Sequence, residues 1–257
     1  PLPSRQLYFA KGYSGYLYFN EEDMYNAGKA VMQKIRVGKL DYRKFMQENI
    51  NLSQTAIGKA KEIQKVKLEQ KSNDELVQLS KQWYANLLTL CDGVIFIRIV
   101  NKIMLEELEL LLEHQTDKAK LVALLSSTPQ LGFFEEYQHR LCTLGKNPSL
   151  AQLQRIQREW AWISVGYANE KPLSLLRARQ DSKECKKVDK SELHIEREEA
   201  LRKLKLSPYD KNIAEMLSNM CYMKDYLRGC VQQMLYYFEP VFEEISRRLH
   251  CSKIKLK

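Results

Sequence analysis

The chain has 257 residues, of which 44% are hydrophobic, with only ten glycines and seven prolines, enough for one large or two modest domains with a real core. Leu, Glu, Lys, Gln and Arg dominate, residues that lose little side-chain freedom in a helix, so a mainly α protein is expected. The net charge of +9 is spread along runs interleaved with Glu, such as Lys59-Ala-Lys-Glu-Ile-Gln-Lys65 and Arg197-Glu-Glu-Ala-Leu-Arg-Lys203, which describe solvated helix faces and argue against nucleic acid or an anionic membrane as partner.

In chain order, Leu7 to Phe19 holds two short aromatic runs around a turn with Gly12 and Gly15, the pattern of a β-hairpin, and residues 1–20 form a lead-in of that kind. Asn20 then caps a helix opened by Glu21, Glu22 and Asp23, the sign that a helix N-terminus favours. A second helix is expected from Asp41 to about Gln70. Ser72-Asn-Asp-Glu75 is a capping box, and from Leu76 through Trp83, Leu90 and Ile97 to Leu111 apolar residues return every three or four positions. Within that stretch Val94 to Val100 is β-branched enough for a buried strand, but the rhythm on both sides favours helix.

Loops are expected at Ser126–Pro129 and Gly145–Ser149, with helices at Phe133–Leu144 and Ala151–Ser164 and a turn-rich break at Gly166–Pro172. Asp181 to Lys190, the most polar stretch, reads as a linker or mobile loop. Ser207-Pro208 places an N-cap before a proline at the first helical position, opening the last long helix. The whole is a multi-helix bundle of long antiparallel helices over 21–251, closed by a short basic tail at 252–257 that reads as a truncation point.

Chemistry is hard to find in the sequence. Gly58-Lys59 and Gly145-Lys146 lack the upstream glycine of a phosphate-binding loop. The four histidines are not paired at helical spacing as metal ligands would be, and the adjacent carboxylates Glu106-Glu107, Glu135-Glu136 and Glu243-Glu244 point about 100° apart on a helix and are read as facing water. Trp160, Trp162 and Tyr167 have no tracking cluster of Lys or Arg, so core or inter-helix anchoring is the better reading than base stacking. Six cysteines without C-x-x-C spacing fit a reducing compartment and suggest no zinc site. No catalytic, cofactor-binding or metal residue is proposed. With no signal-peptide core and no apolar run long enough for a bilayer, a cytoplasmic location is expected, and the missing initiator Met fits an excised piece of a longer protein.

In the last helix, Met216, Met220, Met223, Leu227, Cys230, Met234, Phe238, Val241, Ile245 and Leu249 form one stripe at steps of three and four. Asp225, Arg228 and Gln232 share another face, and Lys224 lies near the stripe's margin. Pro240 should kink or restart the helix, since it removes a backbone donor and crowds the carbonyl of Tyr236.

The order of features in Met223-Lys-Asp-Tyr-Leu-Arg228, Tyr237, Pro240-Val-Phe-Glu-Glu-Ile245 and Arg247-Arg-Leu249 resembles the segment preceding the phosphohistidine domain in phosphoenolpyruvate-utilising enzymes of the phosphoenolpyruvate synthase and pyruvate phosphate dikinase type. Leu121-Val-Ala-Leu-Leu-Ser-Ser-Thr-Pro129 with Glu135-Glu136, and Trp160-Ala-Trp-Ile-Ser-Val-Gly-Tyr167 with Pro172, are similar to further stretches of the same helical region. The resemblance implies a helical linker or scaffold module of a phosphotransferase, kinase-like in its chemistry, that positions a swivelling carrier domain. ATP and Mg would belong to the parent protein, and the partners would be its phosphohistidine and nucleotide-binding domains. The family's glycine-flanked carrier histidine is absent here, which implies that this piece alone is inactive. Leu227 stands where a second basic residue is usual. On that reading Lys224, Asp225, Arg228, Trp162 and Tyr167 are the candidate interdomain contacts. A free-standing α-helical interaction module is the alternative, and a basic nucleic-acid-binding helical protein ranks below it.

Overall fold

The computed structural model describes residues 6–11, 14–19, 21–145, 147–165, 171–185 and 189–251. The chain is mainly helical, as its composition requires. Nine α-helices are found among the described residues: α1 (Glu21–Arg36), α2 (Tyr42–Ile63), α3 (Asn73–Leu111), α4 (Lys118–Ser126), α5 (Phe133–Thr143), α6 (Leu150–Trp160), α7 (Leu175–Glu184), α8 (Ser191–Lys203) and α9 (Pro208–Leu249).

Local chemistry sets most of the starts. Asp41 accepts from the amides of Arg43 and Lys44 at 2.9 and 3.2 Å to open α2. The box before α3 is reciprocal: the Glu75 amide donates to Ser72 Oγ at 3.2 Å, and the Ser72 amide to Glu75 Oε2 at 2.8 Å. Ser149 with Gln152 repeats it at α6, and Ser207 caps α9 with Pro208 at the first position. Such caps satisfy amides that have no partner within the helix. The second helix is shorter than expected, because α2 stops at Ile63 and the chain makes a brief 3-10 turn at Leu68–Gln70.

The two longest helices, α3 and α9, run antiparallel. Trp83 Nε1 on α3 donates to the carbonyl of Met234 at 3.2 Å, Arg248 near the end of α9 donates to Asn73 Oδ1 at 2.8 Å, and at the opposite end Tyr209 donates to Glu107 at 3.3 Å. α2 lies along both, with Phe45 against Phe96 of α3 at 4.1 Å between centroids and Lys61 over Tyr237 of α9 at 5.4 Å. α1 packs on α3, where Gly28 sits so close to Ile99 and Ile103 that a Cβ would fall 2.7 Å from the Ile103 side chain. The ambiguous run at 94–100 is helical, and its Ile97 and Val100 are wholly buried. The same core takes Met104 and Leu108 from α3 and the predicted α9 stripe from Met216 to Met234. Each such side chain contributes about 1.5–3 kcal/mol on leaving water.

A second, smaller core joins α5, α6, α7 and the turn at Ala161–Ser164 around Tyr137, Leu141, Leu153, Ile156, Trp160 and Trp162. Phe133 and Tyr236 touch both cores.

Several expectations need correction. Of the two outcomes expected at Pro240 the restart is excluded, since α9 continues through it to Leu249; Phe238, Val241 and Phe242 around it are held in a core with Leu76. Leu249, placed on the apolar stripe, is 62% exposed, since the stripe outruns its packing partners. The polar stretch 181–190 is not one loop: Asp181–Glu184 close α7, where Asp181 is held by Tyr137 at 2.8 Å and by Arg177 at 2.9 Å. Arg197, expected on a solvated face, is 6% exposed and donates to the carbonyls of Leu125 and Ala214, both at 3.3 Å. Glu244, expected to face water, is buried and bonded by Arg247 and Arg248 at 2.7 and 2.6 Å. For the hairpin of residues 1–20, the backbone traces an antiparallel pairing of Gln6–Lys11 with Ser14–Phe19. An isolated two-stranded hairpin is marginal in water, and the supported fold is the helical body alone. No described helix is long and apolar enough to cross a membrane.

Candidate functional site

The face of α9 that carries Asp225, Arg228 and Gln232 opens onto a cleft of about 410 Å³. Its far wall is the start of α5, Gly132 to Glu135, with Ile163 from the short turn after α6. Helical spacing explains the near wall: residues three and four apart lie on one side of a helix. The far wall exists because Phe133 is drawn down onto α9. A Cβ on Gly229 would lie 2.1 Å from the Phe133 ring, so only glycine lets that ring seat. Once seated, Phe133 stacks on Tyr226 at 5.3 Å and meets Trp162 edge-on at 5.1 Å.

Trp162 therefore lies beneath the cleft and not on its surface. It is buried, donates its indole N–H to the Glu159 carbonyl at 3.1 Å, and stacks against Trp160 at 5.5 Å. Burial also pushes the Tyr226 hydroxyl well above the usual phenol range, so this floor stays uncharged.

The lip is polar and organised. Glu135 Oε2 accepts the Gly132 amide at 2.9 Å, satisfying the start of α5, and also meets Lys190 Nζ at 2.7 Å. Lys190 in turn donates to the Gln130 carbonyl at 2.9 Å, tying the entry of α8 to this rim. By contrast Asp225 and Arg228 are exposed, and the i, i+3 pairing open to them is not made: no ion pair within 4.0 Å joins them. They turn instead toward the open cleft.

Of the five residues picked out by sequence, the structure brings Asp225 and Arg228 together at the cleft with Trp162 under it. Lys224 is exposed one step round the helix and does not line it. Its nearest resolved effect is on Cys221, whose thiol burial pushes up, Lys224 draws down and Asp225 raises. Tyr167 lies outside the described residues. Gly132, Phe133, Phe134 and Gly229 were not anticipated, although the sequence Gly-Phe-Phe-Glu marks a helix start with an exposed ring, and Phe134 is indeed 63% exposed.

The cleft offers two carboxylates, Asp225 and Glu135, one guanidinium, an amide and an exposed aromatic edge, on an apolar floor. Such groups can make ion pairs and hydrogen bonds, and the lining residues include no nucleophile beside a base. A larger hollow of about 620 Å³ between α1 and α3 is a poorer candidate, because its polar rim is internally paired, Arg36 with Glu107 and Tyr209. Among the described residues, no group of three or more His, Cys, Asp or Glu could hold a metal ion. Comparison of the chain with family models, with curated proteins and with solved structures gives no match.

Proposed function

We propose that this chain is a helical scaffold module of a phosphoenolpyruvate-utilising, phosphotransferase-like protein, which positions a swivelling phosphohistidine domain and does no chemistry itself. The reading rests on the order of features from Met223 to Leu249 and is supported by one observation above others: two of the charged residues within that resemblance, Asp225 and Arg228, line an open cleft without an ion pair between them. A surface that presents both signs of charge above an apolar floor suits a domain that docks and leaves, since rim charges govern encounter more than tight holding. The long antiparallel helices and the hairpin lead-in belong to the same proposal, as do ATP and Mg at other sites of the parent, phosphohistidine and nucleotide-binding domains as partners, and a cytoplasmic setting.

Two measurements test it. The parent coding sequence beyond Lys257 should carry a glycine-flanked histidine within about one domain, ~150 residues; its absence would end this reading. In the parent protein, Arg228→Glu should slow phosphoryl transfer between nucleotide and acceptor by about tenfold, the effect of roughly 1.4 kcal/mol at a docking surface, while the purified chain should transfer no phosphate from ATP or phosphoenolpyruvate.

A second reading, a free-standing helical interaction module, is favoured by Val77, Tyr84 and Leu88, which stand 48%, 56% and 46% exposed along α3. Loss of solution self-association or partner capture on Tyr84→Lys, with Arg228→Glu silent, would favour it.

A further inference from the structure

The apolar row by which α3 meets α1 is longer than α1 can cover. Gly28 of α1 lies against Ile99 and Ile103, and further along both helices Arg36 bonds Glu107, so α1 runs parallel to α3. Glu21 is about two turns before Gly28, which sets the start of α1 level with about Asp92. On the same side the row continues past that point. Leu88 stands about three turns before Ile99 and so points the same way, and Tyr84 and Val77 lie about one and three turns before Leu88. All three are exposed, so no described helix covers this half of the row. From Leu88 to Val77 it runs about 16 Å, at ~1.5 Å per residue.

The chain just before α1 supplies a matching surface. Only Asn20 separates Phe19 from Glu21, so the segment Gln6 to Phe19 is tethered at the end of the bare row. Its backbone pairs Leu7 with Tyr18 and Phe9 with Tyr16. Residues opposite each other across a ladder share a face, as do alternate residues along a strand, so these four fall on one face. Each strand has six residues and spans about 20 Å at ~3.3 Å per residue, the length of the row. A two-stranded hairpin is stable only when its apolar face packs on something. We propose that the segment from Gln6 to Phe19 docks by this face on Val77, Tyr84 and Leu88, and so continues along α3 the layer that α1 begins. The docking is independent of the scaffold reading, and it occupies the face that the interaction-module reading leaves to a partner.

The test is to replace Tyr84 in the full chain by the photo-cross-linking residue p-benzoylphenylalanine, irradiate, digest and map the linked peptides by mass spectrometry. The expected product is a link within one chain, from position 84 to a peptide inside 6–19. A link between two copies, a link only to some other segment, or no link overturns the proposal. Thermal unfolding supplies a second readout. Deleting residues 1–19 should lower Tm by about 4–8 °C, the loss of a few buried apolar side chains. In the double variant Tyr84→Ala, Leu88→Ala the same deletion should cost less than half as much, because the contacts it removes are already gone. Equal losses in the two backgrounds overturn the docking. Both substitutions fall at exposed helical positions, and circular dichroism verifies that each variant folds before it is compared.

Discussion

Gly229 holds the candidate site open by lacking a side chain. With the Phe133 ring 2.1 Å from where a Cβ would stand, Gly229→Ala should cost about 1–3 kcal/mol through overpacking, read as a lower urea midpoint, and should also quench the stacking of Phe133 on Tyr226. An unchanged midpoint would mean that the ring moves aside without loss. Glu244 makes a second residue-scale case. Hydrogen bonds from Arg247 and then Arg248 hold its carboxyl down to about 2, against an ordinary 4.5. The folded state therefore resists a proton that the unfolded chain accepts, so this contribution to stability is complete above about pH 4.5 and is lost as pH falls toward 2. Urea midpoints should fall more steeply across that window in the native chain than in Glu244→Gln; parallel slopes would show that the unfolded state holds the same pair.

At the scale of elements, caps and clamps decide where helices begin and what they lean on. Ser72→Ala breaks the reciprocal box before α3 and should destabilise the protein by about 1 kcal/mol. Arg197 does something that propensity cannot anticipate, since from α8 it reaches the carbonyl of Leu125 near the end of α4 and that of Ala214 on α9. Arg197→Ala should cost about 2–3 kcal/mol, because two charge-assisted hydrogen bonds go and two sheltered carbonyls lose a donor. Thermal denaturation of the two variants should therefore rank Arg197→Ala well below Ser72→Ala. The reverse order would place Arg197 among the solvated charges, where interleaving with Glu puts it by sequence.

Across the whole molecule, and among its described residues, the two cores that flank the cleft are of unequal size and share only a few bridging residues. The larger is built on α3 and α9, whose contacts run from Asn73–Arg248 to Glu107–Tyr209. The smaller lies in α5, α6 and α7 and touches the larger through Phe133 and Tyr236. Fewer buried apolar groups mean a lower local opening energy. Native-state hydrogen exchange should show α5–α7 amides exchanging through a subglobal opening while those in the middle of α3 and α9 exchange only with global unfolding. One common opening energy for both layers would make the cores a single unit. In the scaffold reading, the wall of the cleft then belongs to the more labile layer and its α9 face to the stable one.

The helical class, most helix starts and the α9 stripe were legible in the sequence because they depend on residues within a turn or two of each other. Ser72 with Glu75, Ser149 with Gln152 and Ser207 with Asp210 pair side chains with nearby amides, and the apolar period of three and four determines which face turns inward. The same phasing put Asp225, Arg228 and Gln232 on one side of α9. What it left open was what that side would meet. Seating Phe133 on Gly229, burying Arg197 between α4 and α9, and carrying α9 through Pro240 join residues far apart in the chain or set a local preference against a long-range core. Only tertiary packing decided them, because the energy of such contacts is realised when distant elements meet, and no short window of sequence contains both partners.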